Sequence, residues 1–238
     1  MVLVLNGESV DNFRLSKTIR NFDRNPIIAE IKVYSPKYGD LLRGRDPLEI
    51  LKAYERAGAV GISYITEKKY FKGDFELFKR ICKESSLPIL RKDFITSKDE
   101  IERSAEVECS AILLIARILK DKTAEFVDFA LEHGLDTLVE VHTIEDVKIA
   151  VDTKTTMIGI NNRDISKLER DDGTVLLTKE LAPLIPNKYV KVSESGISSL
   201  EHLRIALSYA DAALIGTAFM MAKDPESMVR TFVEAKLC

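Results

Sequence analysis

The sequence predicts a single-domain α/β protein, a (β/α)8 or TIM barrel with a short N-terminal helical extension. Short apolar runs alternate with amphipathic segments eight times after the first 25 residues, and polar side chains recur where the apolar runs end. Strands that alternate with helices indicate parallel strands joined by right-handed crossovers. Eight such units in about 210 residues fit a closed barrel better than an open doubly wound sheet.

No linker or low-complexity tract divides the 238 residues, so we predict one domain over 1–238, with 1–25 as a helical lead-in. Within the lead-in, 10–25 carry apolar side chains at near-helical spacing, which predicts a helix over one end of the domain. These apolar residues are Phe13, Leu15, Ile19 and Phe22.

The first strand is predicted in the first half of 26–36, an isoleucine-rich run that is too short for a helix. Asp46 and Pro47 then predict a helix start, with Asp as the N-cap and Pro at the first helical position, and Gly58 ends that helix. Further strands are predicted at 59–66, 88–92, 109–116, 136–141, 156–161, 189–193 and 211–215. Further helices are predicted at 75–83, 97–106, 122–133, 143–151, 176–184, 200–209 and 225–235. Ser97 and Glu100 have the spacing of a capping box.

Composition and charge argue against several classes of function. The net charge is only -3 and basic residues form no tract, so we expect no binding to nucleic acid. Three widely spaced cysteines share no metal-ligand spacing with the three histidines, which predicts free thiols in a reducing compartment and no metal site. We find no export signal and no apolar window long enough to span a membrane. We therefore expect a cytoplasmic protein that is monomeric or weakly oligomeric.

The first strand carries an acid and an ammonium on one face. Glu30 and Lys32 are two residues apart, so on a strand both side chains point to the same side. Buried charges are costly unless they pair with each other or meet a ligand. A purely structural ion pair therefore stays an alternative for this strand taken alone.

Polar residues recur at the predicted strand ends, where a barrel of this class has its active site. They are Glu30, Lys32, Ser35, Thr66, Glu67, Arg91, Lys92, Asp93, Arg117, Glu140, His142, Asn161, Arg163, Glu194 and Ser195. Several carboxylates and cations that converge on one mouth should displace pKa values, as acid–base chemistry requires. Lys92 is the predicted general acid, and Glu140 and Glu30 are candidate bases. His142 has no matching histidine, so we expect an incidental or supporting residue rather than a metal ligand.

Two glycine turns predict a phosphate site. Gly196 follows the seventh strand, and Gly216, with Thr217 beside it, follows the eighth. Glycine allows the backbone to approach a ligand, and barrels of this class often bind phosphate between these two loops. Tight turns without a ligand are the alternative.

The strand-end motifs together resemble one enzyme family, indole-3-glycerol phosphate synthase, from about residue 26 to the end of the chain. The matching segments are Ile28-Ala-Glu-Ile-Lys32 with Ser35-Pro36, Thr66-Glu67 with Tyr70-Phe-Lys-Gly73, Leu90-Arg-Lys-Asp-Phe-Ile95, Leu138-Val-Glu-Val-His142, Ile158-Gly-Ile-Asn-Asn-Arg-Asp164, Ser193-Glu-Ser-Gly-Ile197 and Leu214-Ile-Gly-Thr217. The resemblance implies ring closure, decarboxylation and dehydration of 1-(2-carboxyphenylamino)-1-deoxyribulose 5-phosphate to indole-3-glycerol phosphate in tryptophan biosynthesis. It implies no cofactor and no metal.

The resemblance also assigns roles to residues of this sequence. Lys92 would be the general acid on the ketone, and Glu140 the partner acid and base for dehydration. The implied catalytic set is Lys92, Glu140, Glu30, Lys32 and Asn161. The implied substrate-binding set is Ser35, Arg163, Glu194 and Ser195. The implied phosphate-binding set is Lys32, Gly196, Gly216 and Thr217.

Departures from the family pattern fall at the substrate loops. The family often has a longer N-terminal extension, and it commonly has a basic residue where Val33 stands and a small one where Lys37 stands. Two alternatives are a sister phosphosugar barrel of the phosphoribosylanthranilate isomerase type and a catalytically silent scaffold. The isomerase would need a Cys/Asp acid–base pair at the strand ends, where this chain has Lys92 and Glu140. A silent scaffold is disfavoured because the chain carries each charged strand-end residue that the synthase reaction needs.

Overall fold

The computed structural model describes residues 14–163 and 174–237, and the backbone of 4–5 and 8–9. Eight parallel strands, β1 to β8, close into a barrel in chain order, and β8 pairs with β1. The strands are Ile27–Ile31, Gly61–Ile65, Ile89–Lys92, Ala111–Ile115, Asp136–Val141, Met157–Asn161, Val190–Glu194 and Ala212–Ile215. The predicted fold class and all eight predicted strands are thereby confirmed.

Helices α1 to α11 follow the predicted alternation, with two additions. They are Leu15–Arg20, Pro47–Arg56, Phe75–Glu84, Lys98–Glu106, Ala116–Leu119, Thr123–Glu132, Ile144–Val151, Leu176–Leu181, Leu200–Leu207, Thr217–Met221 and Pro225–Glu234. The short helices α5 (Ala116–Leu119) and α10 (Thr217–Met221) were not predicted, because each begins directly at a strand end and is only about one turn long. Single-turn 3₁₀ segments cover Lys120–Lys122 and Ala182–Leu184.

The helix caps show where local signals hold and where they fail. Asp46 accepts the Leu48 backbone N–H at 2.9 Å, so the predicted cap of α2 is confirmed. The capping box at Ser97 is wrong: the Ser97 side chain makes no capping hydrogen bond, and the Glu100 carboxylate instead pairs with Arg91. A buried guanidinium competes more strongly for that carboxylate than a partly solvated helix end does.

The lead-in helix α1 closes the N-terminal end of the barrel. Leu15 and Ile19 pack inside the ring of strands with interior residues such as Ile28 and Leu90. The carboxylate of Asp136 accepts both the backbone N–H (3.0 Å) and the hydroxyl (2.5 Å) of Ser16, which fixes the start of α1 against β5. With this end filled, the open mouth lies at the carboxyl ends of the strands. Phe13, predicted to belong to the same helix, lies outside the described residues.

Candidate active site

A cavity of about 350 Å³ opens at the carboxyl ends of the strands, and every strand or the loop after it contributes to its wall. Among the residues of the implied catalytic, substrate-binding and phosphate-binding sets, all except Ser35 and Glu194 line it. Those that do are Glu30, Lys32, Lys92, Glu140, Asn161, Arg163, Ser195, Gly196, Gly216 and Thr217. The alternation of side chains along each strand explains this gathering, since residues two apart face the same interior.

Lys92 and Lys32 lie among buried carboxylates at the floor of the cavity. The Lys92 ammonium donates to Glu194 Oε2 at 2.9 Å and lies 3.6 Å from Glu30 Oε2. Lys32 pairs with the other oxygen of Glu30 at 3.1 Å. The structural ion pair of the first strand therefore exists, and it is one part of a larger charged cluster. Glu194 is fully buried behind the cavity wall, and it belongs to the cluster because its carboxylate binds the Lys92 ammonium.

Glu140 completes the cluster. The Asn161 amide nitrogen donates to Glu140 Oε2 at 3.1 Å, and the Asn161 amide oxygen accepts the Arg163 backbone N–H, which sets the orientation of the amide. Burial, followed by the nearby Glu194 charge, raises the pKa of Glu140 to about 8, against the opposing effect of Lys92. Burial lowers the pKa of Lys92, but the charges of Glu194, Glu30 and Glu140 outweigh it and hold that pKa above its ordinary value.

Charge balance gives the cluster a simple resting state. Three carboxyl groups, Glu30, Glu140 and Glu194, face two ammonium groups, Lys32 and Lys92. A buried group of charges is least costly when its net charge is near zero. One proton on Glu140 makes the cluster neutral at neutral pH. The site therefore contains two kinds of proton donor, a carboxylic acid and an ammonium group.

Two interior glycines make room for the carboxylates. A Cβ on Gly159 would overlap Glu194 Oε1 and lie 3.1 Å from its Cδ, and a Cβ on Gly216 would overlap Glu30 Oε1 in the same way. Gly159 sits on β6 between Leu138 and Glu194, where no other side chain fits without displacing the carboxylate. The glycine predicted for phosphate binding at 216 thus has a second role, which is clearance for Glu30.

We expect Gly159→Ala to lower kcat at least about tenfold and to destabilise the fold by about 1–3 kcal/mol, because the methyl group pushes Glu194 away from Lys92. Denaturant unfolding and steady-state kinetics measure the two effects. In a Glu194→Ala background the added methyl group should cost little stability, since the overlap is gone. Gly134→Ala is the matched control, because its φ of +77° costs stability while nothing lies within 4 Å. An equal cost of Gly159→Ala in both backgrounds would refute the clearance role.

The loops after β7 and β8 meet beside Lys32. The Lys32 ammonium donates to the Thr217 hydroxyl at 3.3 Å, and Gly216 directly precedes α10. After β7, Ser195 and Gly196 both have positive φ, 66° and 75°. A left-handed serine is strained, so the surroundings must hold it. The arrangement suits an anion next to an ammonium, and the phosphate role of these residues stays a prediction.

Asn162 provides the restraint on the loop after β7, and sequence reasoning missed it. Its amide nitrogen donates to the backbone oxygens of Glu194 (2.8 Å) and Ser195 (3.2 Å), and its amide oxygen accepts the Thr178 backbone N–H. The available signal was the Asn161–Asn162 pair, because adjacent strand residues face opposite sides. Asn161 faces the cavity, and Asn162 ties β6 to the loop after β7.

The cavity also has an apolar wall, formed by Phe71, Phe94, Leu113, Ile115 and Leu214. Phe71 lies below the Lys32 ammonium, which is 5.8 Å from the ring centroid. A flat aromatic ring that carries a carboxylate would find both an apolar surface and cations here. Phe71 and Phe94 are the aromatic side chains of this wall.

Two further predictions need comment. Ser35 is buried behind the cavity wall, where its hydroxyl accepts the Lys37 backbone N–H at 3.2 Å, so substrate contact by Ser35 stays a prediction. Arg91 does not join the mouth: it faces the helices and contacts Thr66, Ser104 and Glu100, because it neighbours the inward-facing Lys92.

The cavity wall also contains residues that the predicted site sets did not include, one of which, Lys37, was noted only as a departure from the family pattern. They are Lys37 and Tyr38 from the loop after β1, and Ser198 and His202 from the loop and helix after β7. Lys37 and Tyr38 sit at the turn of a short hairpin, Tyr34–Ser35 with Gly39–Asp40, which was predicted as loop. Only the folding of these two loops around the mouth reveals the four residues.

Within 14–163 and 174–237, no three His, Cys, Asp or Glu side chains are grouped as a metal site would require. Cys82 and Cys109 are free thiols. Burial raises the pKa of both, to about 12 for Cys109, so neither is poised as a thiolate. None of the helices in the described part of the chain is long and apolar enough to cross a membrane.

Comparison with known proteins gives a consistent result. Residues 6–232 match the family model described as indole-3-glycerol phosphate synthase. Proteins of that name from Pyrococcus abyssi and Pyrococcus furiosus are 71% and 69% identical, over 95% and 94% of this chain and 99% of each relative. One from Methanocaldococcus jannaschii is 40% identical over 97% of this chain and 87% of its own length. A solved Aquifex aeolicus structure aligns with a TM-score of 0.65 at 15% identity, over 93% of this chain and 96% of that one, which supports the fold alone.

Proposed function

The chain belongs to the indole-3-glycerol phosphate synthase family, as a carboxy-lyase of tryptophan biosynthesis acting on a small phosphorylated substrate, and from this premise we propose how its residues divide the reaction. The substrate is 1-(2-carboxyphenylamino)-1-deoxyribulose 5-phosphate. An aromatic carbon attacks the ketone, carbon dioxide leaves, and water is lost to give the indole. We further propose that 1–238 act as one domain, in the cytoplasm, as a monomer or weak oligomer.

Lys92 is the acid for ring closure. As the new carbon–carbon bond forms, the ketone oxygen gains electrons and takes a proton from the Lys92 ammonium. Carbon dioxide then leaves the same aromatic carbon, and its bonding electrons restore the ring. Loss of a carboxylate as carbon dioxide consumes one proton overall, so the neutral Lys92 amine takes a proton from solvent before the next turnover. The observation that carries this assignment is the Lys92 ammonium on the cavity floor, 2.9 Å from Glu194 and 3.6 Å from Glu30.

Glu140 serves the dehydration. In its protonated form it gives a proton to the departing hydroxyl, which leaves as water. The resulting carboxylate then takes the proton of the adjacent carbon as the carbon–carbon double bond forms. The carboxyl group ends protonated, as it began. A pKa of about 8 suits a group that must both donate and accept near neutral pH.

The remaining residues hold the substrate. Lys32, Gly196, Gly216 and Thr217 bind the phosphate, and the apolar wall with Phe71 receives the aromatic ring. Arg163, Ser195 and Ser35 position the substrate, while Glu30 and Glu194 orient the two ammonium groups. Asn161 holds Glu140 in place. These roles need no metal or cofactor.

Product formation can be followed directly, because the chain contains no tryptophan. We expect indole fluorescence to grow when the purified protein meets the substrate, and we expect none from a Lys92→Met variant at equal concentration. Absence of signal from the folded wild-type protein across pH 5 to 9 would refute the assignment. An isomerase would turn over phosphoribosylanthranilate without an indole signal.

A further inference from the structure

A histidine–carboxyl contact lies behind the proposed acid of the site. His142 is the first residue after β5, two residues beyond Glu140, and its Nε2 is 3.4 Å from Glu140 Oε1. Both side chains are buried, with exposed fractions of 7% and 1%. At 3.4 Å the contact is longer than an ordinary hydrogen bond, which spans about 2.7–3.2 Å. His142 lies behind Glu140 rather than on the cavity wall, so it reaches the substrate only through that carboxyl group.

The backbone of His142 is held in place by the next helix. Asp146 accepts the backbone N–H groups of His142 (2.9 Å) and Thr143 (3.1 Å), and the Thr143 hydroxyl accepts the Asp146 N–H in return. This capping box starts α7. Arg117 lies 3.7 Å from the Asp146 carboxylate on the outer side. The imidazole therefore projects from a fixed point of the backbone.

The orientation of Asn161 determines which oxygen of Glu140 faces the imidazole. Since the Asn161 amide oxygen accepts the Arg163 N–H, its nitrogen is the group that donates to Glu140 Oε2. Oε2 is therefore an acceptor, and the proton of a neutral Glu140 is placed best on Oε1. That is the oxygen beside His142. A neutral imidazole has one nitrogen able to accept such a proton.

We propose that His142 is a positioning residue for Glu140: its neutral imidazole accepts the proton on Oε1 and keeps the carboxyl group protonated and oriented between turnovers. The proposal rests on the proposed acid and base role of Glu140 and adds a residue to it. The charges of Glu194, Lys92 and Arg117 act on Glu140, and the Asp146 carboxylate accepts the His142 backbone N–H and lies 3.7 Å from Arg117.

The test compares His142→Phe with His142→Gln. Phenylalanine keeps the ring but removes both nitrogens, whereas glutamine offers an amide that can turn either atom toward Glu140. We expect His142→Phe to lower kcat about 10- to 100-fold with KM changed less than twofold. The alkaline limb of the pH–kcat/KM profile should move about one unit lower, because the protonated form of Glu140 loses its acceptor. His142→Gln should recover part of both effects, and His133→Phe, at an exposed histidine, is the control.

A second readout does not depend on turnover. Unfolding free energies of wild type and Glu140→Gln, compared from pH 4 to 10, report the titration of Glu140 alone. The same comparison in the His142→Phe background should show the titration ending at lower pH. An unchanged titration, or loss of stability with an unmoved kinetic limb, would overturn the proposal. If Glu140→Gln kept its rate, the role of Glu140 would fail, while this titration would still decide the role of His142.

Discussion

Lys92→Ala is expected to lose turnover by at least about a thousandfold, since a positioned general acid contributes about 10²–10⁴ in rate. The structure offers no substitute at that place: the only other ammonium of the cluster among the described residues, Lys32, is paired with Glu30 and bonded to Thr217. Removal of Lys92 also leaves Glu194 and Glu30 without their shared cation. Breaking a buried pair costs about 3–5 kcal/mol, so stability must be measured alongside rate.

Three comparisons isolate the acid role of Lys92. Lys92→Met keeps the side-chain volume without the charge, and a small primary amine added to Lys92→Ala should restore part of the rate. Lys154→Ala is the matched control, because Lys154 forms a similar 2.9 Å pair with Asp128 but on the surface. It should leave both rate and stability almost unchanged. A Lys92→Ala enzyme that is folded and keeps most of its rate would contradict the assignment.

Glu140→Gln is expected to lower kcat by about 10²–10³ while KM changes less than about threefold, because the amide retains shape and the Asn161 contact but neither gives nor takes the proton. Glu125→Gln, at a surface carboxylate paired with Lys98, is the control. A rise in KM with kcat unchanged would show that Glu140 only binds substrate.

The pH dependence of Glu140→Gln has a definite sign. Burial and Glu194 raise the pKa of Glu140 from 4.5 to about 8, so the folded state keeps a proton that the unfolded state releases. Stability from this group is fully present below about pH 4.5, declines as pH rises, and is lost above about pH 8. Compared with wild type, Glu140→Gln should therefore gain relative stability between those limits. The protonated form is also the active one, so wild-type kcat/KM should fall as pH rises through about 8. A relative stability that did not change with pH would contradict the raised pKa.

Local sequence signals were sufficient for the elements of the barrel. Asp46 and Pro47 mark the start of α2 because capping and a fixed φ act within one turn. The capping box at Ser97 failed because Glu100 found a distant partner, Arg91. The alternation of side chains along a strand also predicts which of them point to the same side. Glu30 lies on the same side as Lys32, and Glu140 on the same side as His142, as expected. The same rule explains why Arg91, which was predicted at the mouth, instead faces outward beside the inward-facing Lys92.

The sequence by itself determined the eight strand–helix units, the family, and the residue types at the strand ends, because period, caps and motifs are local properties. Only the tertiary structure decided which charges meet. Lys92 and Glu194 are 102 residues apart, and closure of the ring brings them to 2.9 Å. Glycine is required at 159 and 216 because the carboxylates of Glu194 and Glu30 occupy the space where a Cβ would lie. Electrostatic energy depends on distance and burial, so the proton on Glu140 is a property of the closed barrel rather than of any segment of the chain.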